Sequence, residues 1–95
     1  MQILVIVRRR TEAFTEAQFA ALLEPEAEVL RTMYAEGIVR SAWSRQDVLG
    51  ACLLLEAGSL DEGQAAFGRL PLAAAGMLEV QFVPLRGYRG FGPRG

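Results

Sequence analysis

The sequence has no histidine, and that absence removes most common catalytic plans. Without an imidazole there is no His general base, no Ser-His-Asp or Cys-His nucleophile system and no His-based zinc site. Lysine is missing as well, since all ten basic residues are arginines. Acid–base chemistry would have to run on carboxylates, tyrosine or bound water. The single cysteine, Cys52, excludes an intramolecular disulfide and fits a reducing compartment. No apolar run approaches the ~20 residues that span a bilayer. The first apolar run reaches arginine only at Arg8, the reverse of a signal peptide. A net charge of −1 gives no general attraction for nucleic acid or anionic membranes. These absences predict a cytoplasmic protein with no nucleic-acid partner, no membrane partner and no metal.

What remains is a 95-residue chain, 52% hydrophobic and 22% charged, which is the composition of one globular domain. Residues 2–8, "QILVIVR", read as a strand buried on both faces. Thr15 and Gln18 form a capping box that opens a helix near Glu16. Pro25 either kinks this helix or starts a new one, and Gly37 ends it. Residues 38–45 alternate as a second strand, with Val39, Ser41 and Trp43 on one face and Ile38, Arg40 and Ala42 on the other. Residues 51–57, "ACLLLEA", make a third strand with Cys52 in the core. Ser59 and Glu62 form a second capping box, and the helix it opens ends before Pro71. "PLAAAGM" reads as a connection and 78–85, "LEVQFVPL", as a fourth strand.

The order β-α-β-β-α-β predicts an α+β, ferredoxin-like sandwich over residues 1–85, with two helices on one face of a four-stranded antiparallel sheet. Residues 86–95 form a Gly/Arg-rich tail, expected to be anchored through Tyr88 and Phe91 on the body or on a neighbouring subunit. The first and third strands are apolar on both faces, so a monomer would expose a large apolar patch. A second sheet packed on the first would cover it, giving a homodimer with a barrel-like interior or a larger homo-oligomer.

From Leu22 to about Leu85 the chain resembles the muconolactone delta-isomerase family of dimeric α/β-barrel proteins. The residues that carry the resemblance are "EG" followed by Arg and Trp in "AEGIVRSAW", the helix-starting Ser59, "LPL" at 70–72 and "LEV" at 78–80. The resemblance implies the ferredoxin-like fold, a tight oligomer and a pocket for a small unsaturated acid or lactone, as in aromatic catabolism. Ser41, Val48 and Arg86 stand in the neighbourhoods where those isomerases carry histidine.

One carboxylate is out of place. Phe19, Leu22, Leu23, Leu30 and Met33 form an apolar helical stripe, and Glu26 falls on it beside Val29, Leu30 and Met33. A carboxylate so placed either pairs or has its pKa raised, and a raised pKa suits a group that takes and returns a proton near neutral pH. Glu26 and Arg40 are the candidate catalytic pair, with Arg40 binding a substrate carboxylate and stabilising enolate charge. The structural alternatives are a plain ion pair of Glu26 with Arg40 or Arg8, or a stem that packs while the head reaches solvent. Arg8, Tyr34, Trp43 and Glu79 are candidate substrate contacts. Packing is the alternative for Tyr34 and Trp43, and Glu79 shares a strand face with Gln81. Arg9 and Arg10 read as solvated. Two functions remain open, besides a cofactor-independent oxygenase that fold analogy alone suggests. One is a cofactor-independent isomerase that moves a proton on an unsaturated lactone or cyclic acid. The other is a non-catalytic ligand-binding or structural oligomer of the same superfamily.

Overall fold

A computed structural model describes residues 1–91 of the chain. The elements follow as β1 (Gln2–Arg9), α1 (Glu16–Ala35), β2 (Val39–Ser44), β3 (Gly50–Glu56), α2 (Leu60–Phe67), a short α3 (Pro71–Ala74) and β4 (Leu78–Leu85), then a 3-10 turn at Arg89–Phe91. The sheet is four-stranded and antiparallel in the order β2-β3-β1-β4. Both long helices are thus crossovers packed on the sheet, and the architecture is the ferredoxin-like sandwich that the β-α-β-β-α-β order predicts.

Local chemistry explains where the elements begin and end. The Thr15 hydroxyl accepts from the Gln18 amide at 3.2 Å, and the Gln18 side chain accepts from the Thr15 amide at 2.7 Å, so the first capping box is complete. At the second box the Ser59 hydroxyl accepts from the Glu62 amide, whereas the Glu62 carboxylate turns to the Gly58 amide. Gly37, at φ +81°, closes α1 while the Ile38 amide donates back to the Met33 carbonyl at 2.9 Å. That is the 6→1 bond of a Schellman motif, which needs a residue tolerant of positive φ. Pro25 lies inside α1, which runs as one helix rather than two.

Period two sorts the sheet into two faces. Ile3, Val5 and Val7 of β1 pair in register with Leu55, Leu53 and Ala51 of β3 and with Pro84, Phe82 and Val80 of β4. This face meets Met33, Phe67 and Leu70 to make the main core. Phe19, Leu72 and Met77 make a smaller one beside it. The opposite face carries Leu4, Ile6, Cys52 and Leu54, half-buried, with no helix over them. Cys52 therefore belongs to the open face and not to the core, because Leu53 and Leu55 take the helix side of β3.

Two further expectations change. A β-bulge between Val39 and Ser41 breaks the simple alternation of β2: Val39 and Ala42 pair with Leu55 and Leu53, while Ser41 and Trp43 pair with Leu54 and Cys52. Val39 thus faces the helices, and Ser41 and Trp43 face away, because the extra residue shifts the pleat by one. The "PLAAAGM" connection contains α3, with Pro71 at its first turn. In the described part of the tail, Tyr88 and Phe91 touch each other at 5.0 Å between ring centroids and are 71% and 90% exposed, so neither is anchored on the chain's own body. The rest of the expected tail, residues 92–95, lies outside the described residues.

Candidate active site

Glu26 sits in the middle of α1, half-buried, on the side that faces α3 and the sheet. Its Oε1 accepts a hydrogen bond from the Leu72 amide at 3.0 Å. The reason is visible in the local sequence of α3. Leu70, at the N-cap, has no side-chain acceptor, and Pro71 has no N–H, so the Leu72 amide would otherwise be an orphan donor. Glu26 supplies the missing cap from another helix. Among the described residues Oε2 accepts no hydrogen bond, and no side-chain oxygen or nitrogen is sealed off without a partner, so Oε2 remains open to a solvent or ligand atom.

Glu26 lines a cavity of about 170 Å³ together with Val7, Leu23, Leu53, Phe67 and Leu70. Arg9, Ser44 and the backbone of Gly50 complete its polar part. An apolar protein cavity of about 150 Å³ holds a benzene molecule, so this one has the size of a single ring. Burial raises the Glu26 pKa above the ordinary carboxylate value, while the Leu72 amide and the charge of Arg9 oppose the rise. The result is a carboxylate whose conjugate acid is more persistent than usual, facing a space walled by aliphatic and aromatic side chains.

Arg9 is the neighbour that sequence reasoning missed. It is half-buried rather than solvated, it lines the cavity, and its guanidinium lies 5.5 Å from the centroid of the Phe19 ring. The signal was present in the alternation itself: Ile3, Val5, Val7 and Arg9 occupy one face of β1. Arg10 is also engaged, donating to the Gly76 carbonyl at 2.9 Å and lying over Phe14.

The other candidates are placed elsewhere. Arg40 is exposed at the β2 bulge and does not line the Glu26 cavity, so in place of the expected Glu26–Arg40 pair Glu26 bonds the Leu72 amide and feels the charge of Arg9 through space. Arg8 points to the open sheet face. Its Nε donates to Glu79 at 2.9 Å and its Nη1 to Glu12 at 3.0 Å. These two carboxylates hold the guanidinium in its charged form, and Glu12 is lowered in return. Glu79 and Gln81 do share a strand face, with Arg8 and Ile6 opposite them across β1, and that face is not the one that carries the cavity. Trp43 is 54% exposed on the same open face, and Tyr34 is 66% exposed beside a shallow groove with Leu30, Val39 and Ala42. Among the described residues no three His, Cys, Asp or Glu side chains gather as a metal site, and no helix is long and apolar enough to cross a membrane.

No protein-family model matches the chain, and no curated protein matches it. Among solved structures it is similar to 5-chloro-2-hydroxyhydroquinone dehydrochlorinase from Burkholderia phenoliruptrix AC1100, in complex with 2,5-dihydroxybenzoquinone. The TM-score is 0.66 at 19% sequence identity, over 95% of this chain and 98% of that one. What the two chains share at this identity is the backbone architecture, and the chain is thereby placed among proteins of ferredoxin-like α+β fold.

Proposed function

We propose that the protein is a cofactor-independent proton-transfer enzyme for a small unsaturated ring compound, with Glu26 as the group that takes and returns the proton. The observation that carries this reading is a single carboxylate at the wall of an apolar, ring-sized cavity, with one oxygen fixed by the Leu72 amide and the other open. Fixing Oε1 orients the carboxylate and leaves Oε2 as the oxygen available for a proton.

The reaction that fits is a muconolactone isomerase-like double-bond shift on an unsaturated lactone or cyclic acid. The Glu26 carboxylate takes a proton from a ring carbon activated by the carbonyl system. The electron pair of that C–H bond moves into the ring, giving a dienolate. The carboxylic acid then returns the proton to the far carbon of the dienolate. One C–H bond breaks and another forms, the double bond moves, and nothing is oxidised or reduced. A neighbour of the same fold named as a dehydrochlorinase of a hydroxylated ring supports a small-ring substrate, because loss of HCl from a ring also requires a proton to be taken up. The unit would be a homodimer, closed across the open sheet face that carries Ile6, Leu54 and Trp43.

A second reading is favoured by one specific contact. The Leu72–Glu26 hydrogen bond caps α3, so Glu26 has a structural task whether or not it has a chemical one. A ligand-binding or structural oligomer without catalysis would need nothing more. Two variants separate the readings. Glu26→Gln keeps an oxygen for the Leu72 amide but removes the base. Deuterium incorporation from D2O into an unsaturated lactone should slow on the order of 10²-fold or more in this variant, with folding unchanged. Glu26→Ala leaves the Leu72 amide unpaired and should lower stability by about 1–3 kcal/mol. A wild-type protein that incorporates no deuterium, combined with a destabilised Ala variant, would establish the structural reading.

A further inference from the structure

We propose that Arg9 is the anion-binding residue of this site, and that its ligand is a single ring carrying an anionic oxygen group such as a carboxylate or phenolate. This rests on the reading that the cavity is the ligand site, and deepens it by assigning the recognition to a residue other than Arg40.

Four arginines are half-buried among the described residues: Arg8, Arg9, Arg10 and Arg45. Three of them have a carboxylate within ion-pair distance, namely Arg8 with Glu12 and Glu79, Arg10 with Glu12, and Arg45 with Asp47. Arg9 is the exception. Glu26 acts on it through space, without an ion-pair contact, so the half-buried guanidinium has no contacting anion, and an anionic ligand would supply one. Glu12 and Glu16 border the same outer cleft as Arg9, yet neither pairs with it, and Glu12 is held by Arg8 and Arg10.

Position supports the same assignment. Arg9 lines both the inner cavity with Glu26 and an open cleft of about 680 Å³ that also borders Phe14, Phe19 and Leu49. It therefore stands between the cleft and the ring-sized cavity and borders both. The guanidinium carbon lies over the Phe19 ring, 5.5 Å from its centroid. That contact restrains the group, and among the described residues its side-chain N–H groups donate no hydrogen bond, which leaves them for the bidentate recognition of a carboxylate. The inner wall is otherwise apolar apart from Ser44 and Glu26, and Glu26 alone would repel an anion. Arg9 is the group that offsets that charge. A ligand anion on Arg9 would also neutralise the charge that acidifies Glu26, making the carboxylate a stronger base once the ring is bound.

Benzoate and benzamide are suitable probes, since they share a ring and a shape and differ in charge. Binding of each would be measured by calorimetry to the wild type and to Arg9→Met, Arg9→Lys, Arg40→Met and Leu23→Trp, with thermal melts to verify folding. Wild type should prefer benzoate by about tenfold or more, the scale of a charge-assisted hydrogen bond. Arg9→Met should lose that preference while keeping benzamide affinity, Arg9→Lys should keep part of it, and Arg40→Met should not differ from wild type. Leu23→Trp, at the rim of the cavity, should weaken both probes. A benzoate preference that survives in Arg9→Met, or that is lost in Arg40→Met, overturns the assignment. Should Arg9→Met fail to fold, a preference reduced below wild type in Arg9→Lys supports the assignment and full retention at wild-type strength overturns it. Failure of wild type to bind either ring overturns this inference together with the cavity reading. Binding that follows Arg9 while Glu26→Gln leaves proton exchange unchanged upholds the anion site and overturns only the catalytic reading.

Discussion

At the scale of single residues, Glu26 titrates against the fold. Its pKa is raised by burial in the folded chain, so between the ordinary carboxylate value and the raised one the native state holds more proton than the unfolded state. Stability should then fall as pH rises through that window, and Glu26→Gln should abolish the fall. Urea titrations of both proteins from pH 4 to pH 8 would show it as a gap that opens in favour of the variant at higher pH. A constant gap would mean that Glu26 is as well solvated in the folded chain as in the unfolded one. Glu26 was legible in the sequence because a carboxylate on an apolar helical stripe is a local contradiction. Arg9 was not, because the triplet Arg8–Arg10 reads as a solvated charge run unless each residue is assigned a strand face. Arg40 was misplaced for a third reason. Its facing depended on an unbroken β2, and a bulge leaves no mark in the alternation of so short a strand.

At the scale of elements, the site is a joint between helices and sheet. The α1 helix supplies Glu26, α3 supplies the amide that Glu26 caps, and the β1–β3 ladder supplies Arg9 and the cavity floor. Pro25 removes one backbone donor from the middle of α1, next to Glu26. Pro25→Ala restores that donor and should stabilise the fold by about 1–3 kcal/mol, read as a higher urea midpoint at unchanged m-value. Gly50 is the opposite case. It opens β3 beside β1, and a methyl group there would run into the Val7 carbonyl, which is backbone and cannot swing aside. Gly50→Ala should cost about 1–3 kcal/mol and disturb the cavity that Gly50 lines. The capping signals and strand order were readable because they are local or topological. The cap that Glu26 gives to α3 was not, because it joins residues 46 positions apart.

At the scale of the whole molecule, the open sheet face sets the expectation for assembly. Leu4, Ile6, Cys52, Leu54 and Val83 lie half-buried on it, with Trp43 and Leu85 exposed, and no element of the described chain covers them. A contiguous apolar surface of this kind favours association, and two copies related by a two-fold axis can each cover the other's sheet. The polar edge is already organised for such an approach. Arg8 is neutralised by Glu79 and Glu12, and Arg45 by Asp47, whose pKa is pulled down to about 2 by that contact. The charges at the margin are thus paired before a second sheet arrives, so closing the face buries no unmatched ion. Light scattering at micromolar concentration should give about twice the 10.4 kDa chain mass or a higher multiple. Leu54→Glu places a charge at the centre of the face and should yield monomers, with a red-shifted Trp43 emission as the indole becomes fully hydrated. Because the Glu26 cavity lies on the other side of the sheet, the same variant should still bind a ring compound, with affinity reduced only as far as the monomer is less rigid. A wild-type chain that runs as a monomer with the same Trp43 emission as Leu54→Glu would refute the two-sheet assembly while leaving the cavity and its carboxylate untouched.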